Sequence, residues 1–222
     1  MLIGGSLAMT VGAKAATSKP VVLELFTSQG CSSCPPADAL LGQLSRRAGV
    51  IALAWHVDYW NNLGWRDRFA SGTATKRQRA YATQLGAGIF TPALVVNGTQ
   101  VLIGSDRDAI ETAIAAAAGL PVAIALSRGP DVAEINIAPA PGQVRVQSIV
   151  YEPEHATDVD AGENEGARLR EYRIVRSVET LAEWDGTARV LTARLPEAGQ
   201  GLSVLLQSGD LRVLGAADLP PA

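Results

Sequence analysis

Sulfur and imidazole are scarce in this chain of 222 residues, which carries two cysteines, Cys31 and Cys34, and two histidines, His56 and His155. With no second C-x-x-C, a metal site would have few ligands to draw on. Basic charge is not in excess either: 19 Lys and Arg stand against 22 Asp and Glu, a net charge of -3. A nucleic-acid binder would usually show a basic face, and this balance offers none overall. No apolar run reaches bilayer-spanning length, the longest at the N-terminus covering only residues 2–13. Internal repeats, a Ser-His-Asp arrangement, a phosphate loop and a dinucleotide fingerprint are all missing. What remains is a globular protein of 47% hydrophobic residues, long enough for two small domains.

The two cysteines stand in Gly30-Cys31-Ser32-Ser33-Cys34-Pro35-Pro36. They follow an apolar run of strand length, residues 21–26, and precede Ala37, Leu40, Leu41, Leu44 and Ala48 at helical spacing. A strand thus delivers a C-x-x-C onto a helix start. Unpaired backbone N–H groups and the positive end of the helix dipole there favour a thiolate, which makes Cys31 the attacking sulfur. Cys34, one turn on, is then able to attack a mixed disulfide at Cys31 and release the partner. A structural disulfide is a weak alternative, because so small a ring removes on the order of 2 kcal/mol of unfolded-state entropy.

The run at 2–13 is followed by Ala13-Lys14-Ala15, a small-x-small cleavage pattern, so residues 1–16 read as a signal peptide or its remnant, although no Lys or Arg precedes the run. Export would place the protein in the periplasm or outside the cell, where disulfides persist. After the first helix, residues 50–58 form a second apolar run, expected to pair in parallel with the first. A helix is expected over 75–85, with Thr75 and Gln78 as a capping box, Gly86 as its stop, and Lys76, Arg77 and Arg79 on a solvated face. Thr91-Pro92 precedes two short runs joined by Asn97-Gly98, a strong hairpin signal, and a helix capped by Ser105 or Asp106 follows. From residue 120 onward, seven short strand-like runs suggest a small antiparallel sandwich, with a long acidic loop over 152–167. Asp158, Asp160 and Glu163 in that loop make a faint, incomplete calcium-loop pattern.

The βαβαββα order, the C-x-x-C at the first helix and the Thr-Pro before the hairpin together resemble the thioredoxin fold. The wording of residues 24–38, with His56-Val57-Asp58-Tyr59-Trp60, residues 91–98 and Gly162-Glu163-Asn164, resembles a narrower family of secreted bacterial thioredoxin-like proteins, domain of unknown function 1223. The resemblance implies an α/β thioredoxin-like domain over 17–119, followed by an all-β antiparallel sandwich-like domain over 120–222. It also implies roles: Cys31 as nucleophile, Cys34 as resolving cysteine, Pro92 as a cis-proline facing the disulfide, and the Thr91 backbone as a pairing site for extended substrate. A buried carboxylate on the first strand would accept the Cys34 proton. Glu24 is the nearest candidate, one residue further from Cys31 than that pattern places it.

Around this centre, the Ser32 and Ser33 hydroxyls could hydrogen-bond a thiolate, and His56 and Asp58 alternate onto one strand face as a hydrogen-bonded pair or a proton shuttle. Tyr59, Trp60, Trp65 and Phe69 form either a mini-core or an apolar platform beside Cys31. The expected activity is thiol–disulfide exchange on protein cysteines with an unidentified redox partner, the Cys31-Cys34 disulfide being the redox centre and no separate cofactor or metal expected. The alternative is a non-enzymatic binding protein with a structural disulfide, holding a partner or a copper or zinc ion through Cys31, Cys34 and His56.

Overall fold

Every residue of β1 (Val21–Thr27) is buried, as expected of a strand with apolar side chains on both faces. The structure, a computed structural model, describes residues 20–222; the signal peptide expected over 1–16 lies outside the described residues. After β1 come α1 (Pro35–Leu44), β2 (Val50–His56), α2 (Gly72–Leu85), β3 (Ala93–Val96), β4 (Gln100–Ile103) and α3 (Arg107–Ala116). β2 runs parallel to β1, and β3 runs antiparallel on its other side.

Alternation along β1 sorts the helices onto two faces. Leu23 and Leu25 pack with Leu40, Leu41 and Leu44 of α1 and Ile110 of α3. Val22 and Phe26 point the other way, onto Ala74 and Tyr81 of α2. α2 begins earlier than its apolar pattern indicated, because Ser71 caps it by accepting from the Ala74 amide, while the Thr75 hydroxyl is held by Asp58. Gly86 closes α2 in the left-handed conformation, and the Asp106 side chain caps α3. Asn97 and Gly98 both take positive φ at the β3–β4 turn, and a Cβ on Gly98 would fall 2.2 Å from the Leu211 carbonyl.

The remaining strands are β5 (Ile124–Arg128), β6 (Val132–Ile137), β7 (Val144–Asp158), β8 (Arg168–Trp184), β9 (Arg189–Arg194), β10 (Gly201–Ser208) and β11 (Val213–Leu219). Four of them extend the first sheet, in the order β11-β10-β7-β8-β2-β1-β3-β4, and β5-β6-β9 form a second sheet. A third cluster, with Ile135, Val146, Trp184 and Val204, lies between the two sheets. The expected boundary at 119/120 therefore marks a change of element type, while the larger sheet runs through it. The first part of the expected acidic loop, residues 152–158, is strand, since β7 continues to Asp158 and residues 159–167 form the hairpin tip. β10 pairs only as far as Tyr151 of β7, so the outer part of the β7–β8 hairpin is free to reach the end of β1. Among the described residues, no helix is long and apolar enough to cross a membrane.

Candidate functional site

Cys31 and Cys34 form a disulfide in the turn between β1 and α1, with Cα atoms 5.4 Å apart. Cys34 is the N-cap of α1, and Pro35 and Pro36 occupy its first positions, where no intrahelical donor is lost. Both cysteines are 0% exposed. The two serines between them part ways. Ser33 Oγ lies 3.4 Å from Cys31 Sγ, whereas Ser32 donates its hydroxyl and its backbone N–H to Glu163 Oε2, at 2.7 and 3.1 Å.

Beneath this turn the sequence places an acid one helical turn after Cys34. Side chains at i and i+4 share a helix face and lean toward the N-terminus, so Asp38 is directed back toward Cys34. Thr27 and His56 end β1 and β2 on the same face, and Thr27 Oγ1 donates to Asp38 Oδ2 at 3.1 Å. The His56 ring, with Nδ1 2.7 Å from Asp67 Oδ2 and 3.8 Å from Glu171 Oε1, closes the cluster. Gln29 binds it to the β7–β8 hairpin. Its amide nitrogen donates to Thr157 Oγ1 and Glu171 Oε2, its backbone N–H donates to Asp67, and its side-chain oxygen accepts from the Trp65 indole. Two atoms of the cluster, Asp38 Oδ1 and His56 Nε2, are buried without a hydrogen-bond partner among the described residues.

Burial opposes charge on every member, and the neighbours decide the outcome. Burial pushes the Asp38 carboxyl up to about 7, although the His56 charge pulls the other way. Burial would lower His56, but the charge of Asp67 and its hydrogen bond, with Glu171 and Asp38, outweigh it and raise the imidazole to about 9. Asp67 is also penalised by burial, yet the His56 charge, the hydrogen bond to it and two backbone N–H groups hold it below its usual range. Burial is the main reason that Glu171 is raised. At neutral pH the imidazolium and Asp67 therefore form a charged pair beside carboxyls that retain protons more readily.

This has a consequence for stability. Asp38 and His56 bind their protons more tightly folded than unfolded, so both contributions decline as pH rises, across 3.8 to 7 for Asp38 and 6.5 to 9 for His56. The unfolding free energy is expected to fall by up to about 3 kcal/mol between pH 6.5 and 9. Urea titrations of wild type and His56→Gln at both ends of that window check this. The variant should show a flatter profile, and parallel profiles would remove His56 as the cause.

The sequence profile described as protein of unknown function (DUF1223) matches residues 22–207, a span that includes the disulfide, the acid cluster and the hairpin tip. The chain belongs to the DUF1223 family. A crystal structure of a structural-genomics target protein from Agrobacterium tumefaciens is 32% identical, with 90% of this chain and 93% of that chain covered at a TM-score of 0.77. HBP35 of Porphyromonas gingivalis, at 14% identity and a TM-score of 0.59 over 94% of this chain and 77% of that one, shares the fold. No curated protein matches.

Several residues read from the sequence sit around the disulfide of this DUF1223 chain, and others do not. The Thr91–Pro92 bond is cis, and the Thr91 carbonyl accepts from Ser33 Oγ at 3.5 Å. Trp60 donates its indole N–H to Thr91 Oγ1, and its Cβ packs over Gly30. Tyr59, Trp60 and Trp65 are all half-buried, while Phe69 is buried against His56. Glu24 is elsewhere: even positions of β1 face α2, and its carboxylate is held by Arg77 and by the Tyr81 hydroxyl. Arg77 is accordingly not on a solvated face but 10% exposed in that ion pair. His56 and Asp58 are not partners, because β2 ends at His56 and the alternation stops there; Asp58 holds Thr75 instead. Glu163 is bound to Ser32 and Asp158 lies 3.6 Å from Arg168, so the acidic residues do not converge on a cation. Among the described residues, no three His, Cys, Asp or Glu side chains are grouped to hold a metal ion.

The sequence reading missed Asp38, although its spacing to Cys34 was a local signal that could have found it. Gln29, Asp67 and Glu171 carried no such local signal, since their partnerships span 38 residues for Gln29 with Asp67 and 142 for Gln29 with Glu171.

Proposed function

We propose that this chain is a periplasmic or secreted thiol–disulfide oxidoreductase of the thioredoxin superfamily, acting on protein cysteines. The observation that carries the reading is the disulfide at the N-terminus of α1 with Asp38, whose Oδ1 is buried and unpartnered, one helical turn beyond Cys34. A structural crosslink needs no proton acceptor beneath it. A resolving cysteine does.

In the reducing direction, the Cys31 thiolate, favoured by the helix start and the Ser33 hydroxyl, attacks one sulfur of a substrate disulfide. An S–S bond forms at Cys31 and the other substrate sulfur leaves as a thiolate, which takes a proton from water. Cys34 then gives its proton to the Asp38 carboxylate, whose value near 7 suits transfer at neutral pH. The Cys34 thiolate attacks Cys31, the disulfide reforms, and the second substrate thiolate departs. Two electrons pass from the protein dithiol to the substrate, and the oxidising direction is the same sequence reversed. Thr91 and the cis Pro92 would line an extended substrate chain, with Leu63, Ile89 and Phe90 as exposed apolar neighbours in sequence to Trp60 and Thr91.

The test is the reduction potential of the Cys31–Cys34 pair, equilibrated in glutathione buffers and read by thiol alkylation. A value between about -120 and -270 mV is expected, the upper end marking an oxidant and the lower a reductant. A value below roughly -300 mV would assign the bond a structural role and favour a binding protein.

A further inference from the structure

Neither sulfur of the disulfide reaches solvent. Exchange requires an incoming sulfur to approach the S–S bond, so the turn that carries it has to open. Two pieces of chain lie across that turn. One is the segment after β2, where Trp60 packs on Gly30. The other is the tip of the β7–β8 hairpin, and its contacts are of a different kind.

At the tip, Glu163 accepts the N–H and hydroxyl of Ser32, while Asn164 donates to the carbonyls of Gln29 and Cys31, at 2.8 and 3.1 Å. Gly162, at a φ of 81°, brings its Cα against Gly64, and a Cβ there would stand 3.1 Å from Trp65 Cβ. Consecutive tip residues thus grip backbone groups on both sides of Cys31. Contacts to backbone register the shape of the turn, which changes when the S–S bond is made or broken. Glu163 is itself exposed, so its contact with Ser32 forms and breaks without uncovering a core.

We infer that Gly162-Glu163-Asn164 is a redox-linked latch, which closes over the Cys31–Cys34 disulfide and loosens when the bond is reduced. Reduction leaves a thiolate at Cys31 one residue from the N–H that the Glu163 carboxylate occupies. Two negative charges then compete for the same helix start, and the tip, with the smaller hold on the fold, yields. The purpose of the latch rests on the oxidoreductase reading, but its existence is measurable without a protein substrate.

The experiment uses the full oxidised chain and dithiothreitol as the probe. Rate constants for reduction of the disulfide are compared for wild type, Glu163→Gln, Asn164→Ala and Ser32→Ala, with urea midpoints taken alongside. Each latch variant is expected to be reduced about tenfold faster, the rate equivalent of one hydrogen bond involving a charged or well-placed polar group, with its midpoint little changed. Rates within about twofold of wild type in all three would overturn the latch. Amide hydrogen exchange over residues 159–167 supplies the second readout: faster exchange in the reduced protein supports release on reduction, and identical exchange in both states rejects it. A latch that opens in a protein with no exchange activity toward protein disulfides would leave this inference standing and remove the oxidoreductase reading. Active exchange with unchanged dithiothreitol rates would do the reverse.

Discussion

Replacing Cys31 with Ser is expected to bring thiol–disulfide exchange down to the uncatalysed background, because the one other cysteine, Cys34, is the resolving sulfur and has no Cys31 sulfur left to attack. Cys34→Ser should behave differently. It keeps the attacking sulfur but cannot resolve, so a mixed disulfide with the substrate protein accumulates and is visible on a non-reducing gel. Asp38→Asn separates the proton acceptor from the sulfur chemistry. With the amide unable to take the Cys34 proton, resolution should slow by about 10²-fold, while the first attack by Cys31 is nearly unchanged. Stopped-flow mixing with a model protein disulfide distinguishes the two steps. Turnover retained by Cys31→Ser would sink the mechanism outright, and unchanged resolution in Asp38→Asn would remove Asp38 as the proton acceptor.

The largest stability change is expected far from the disulfide. Glu24 is fully buried, and its two oxygens accept from Arg77 and Tyr81; Arg77 also reaches Gln147 and Gln207 and stacks over the Trp55 ring at 4.8 Å. Arg77 therefore ties α2 to β1, β7 and β10 through one guanidinium. Arg77→Met leaves a carboxylate in the core without its counter-charge, and a loss of about 3–5 kcal/mol is expected. That is a large share of the roughly 5–15 kcal/mol by which a domain is stable. Because the cost lies in the stranded charge, the double variant Glu24→Leu with Arg77→Met should recover much of it. Urea unfolding followed by tryptophan fluorescence measures both. A loss below about 1 kcal/mol in the single variant would show that Glu24 finds water or a proton instead.

Local signals were enough for much of this protein. The β1 and β2 runs, the C-x-x-C at a helix start, the Asn97-Gly98 turn and the seven later strands were legible because each depends on periodicity or on residues a few positions apart. Asp38 was missed in favour of Glu24, although helical geometry alone directs it toward Cys34. Alternation also carries a warning in Glu24 and Asp58. Which face a strand residue takes is readable, but what covers that face, and where the strand ends, is not. Arg77 shows the same limit, because a cation on a predicted helix looks solvated until the carboxylate it neutralises, 53 residues away, is placed beside it.

Only the tertiary structure decided that β7 and β8 join the sheet of β1 and β2, and everything distinctive about the site follows from that. It brings Glu171 to His56, Thr157 to Gln29, and Glu163 and Asn164 onto the turn of Cys31 and Ser32. These partners are separated by 128 to 142 residues where the hairpin meets Gln29, Cys31 and Ser32. No periodicity links such positions, because their meeting depends on strand pairing and sheet order, which the whole chain settles together. The sequence by itself determined the disulfide and the helix that presents it; the fold determined what lies beneath it and what closes over it.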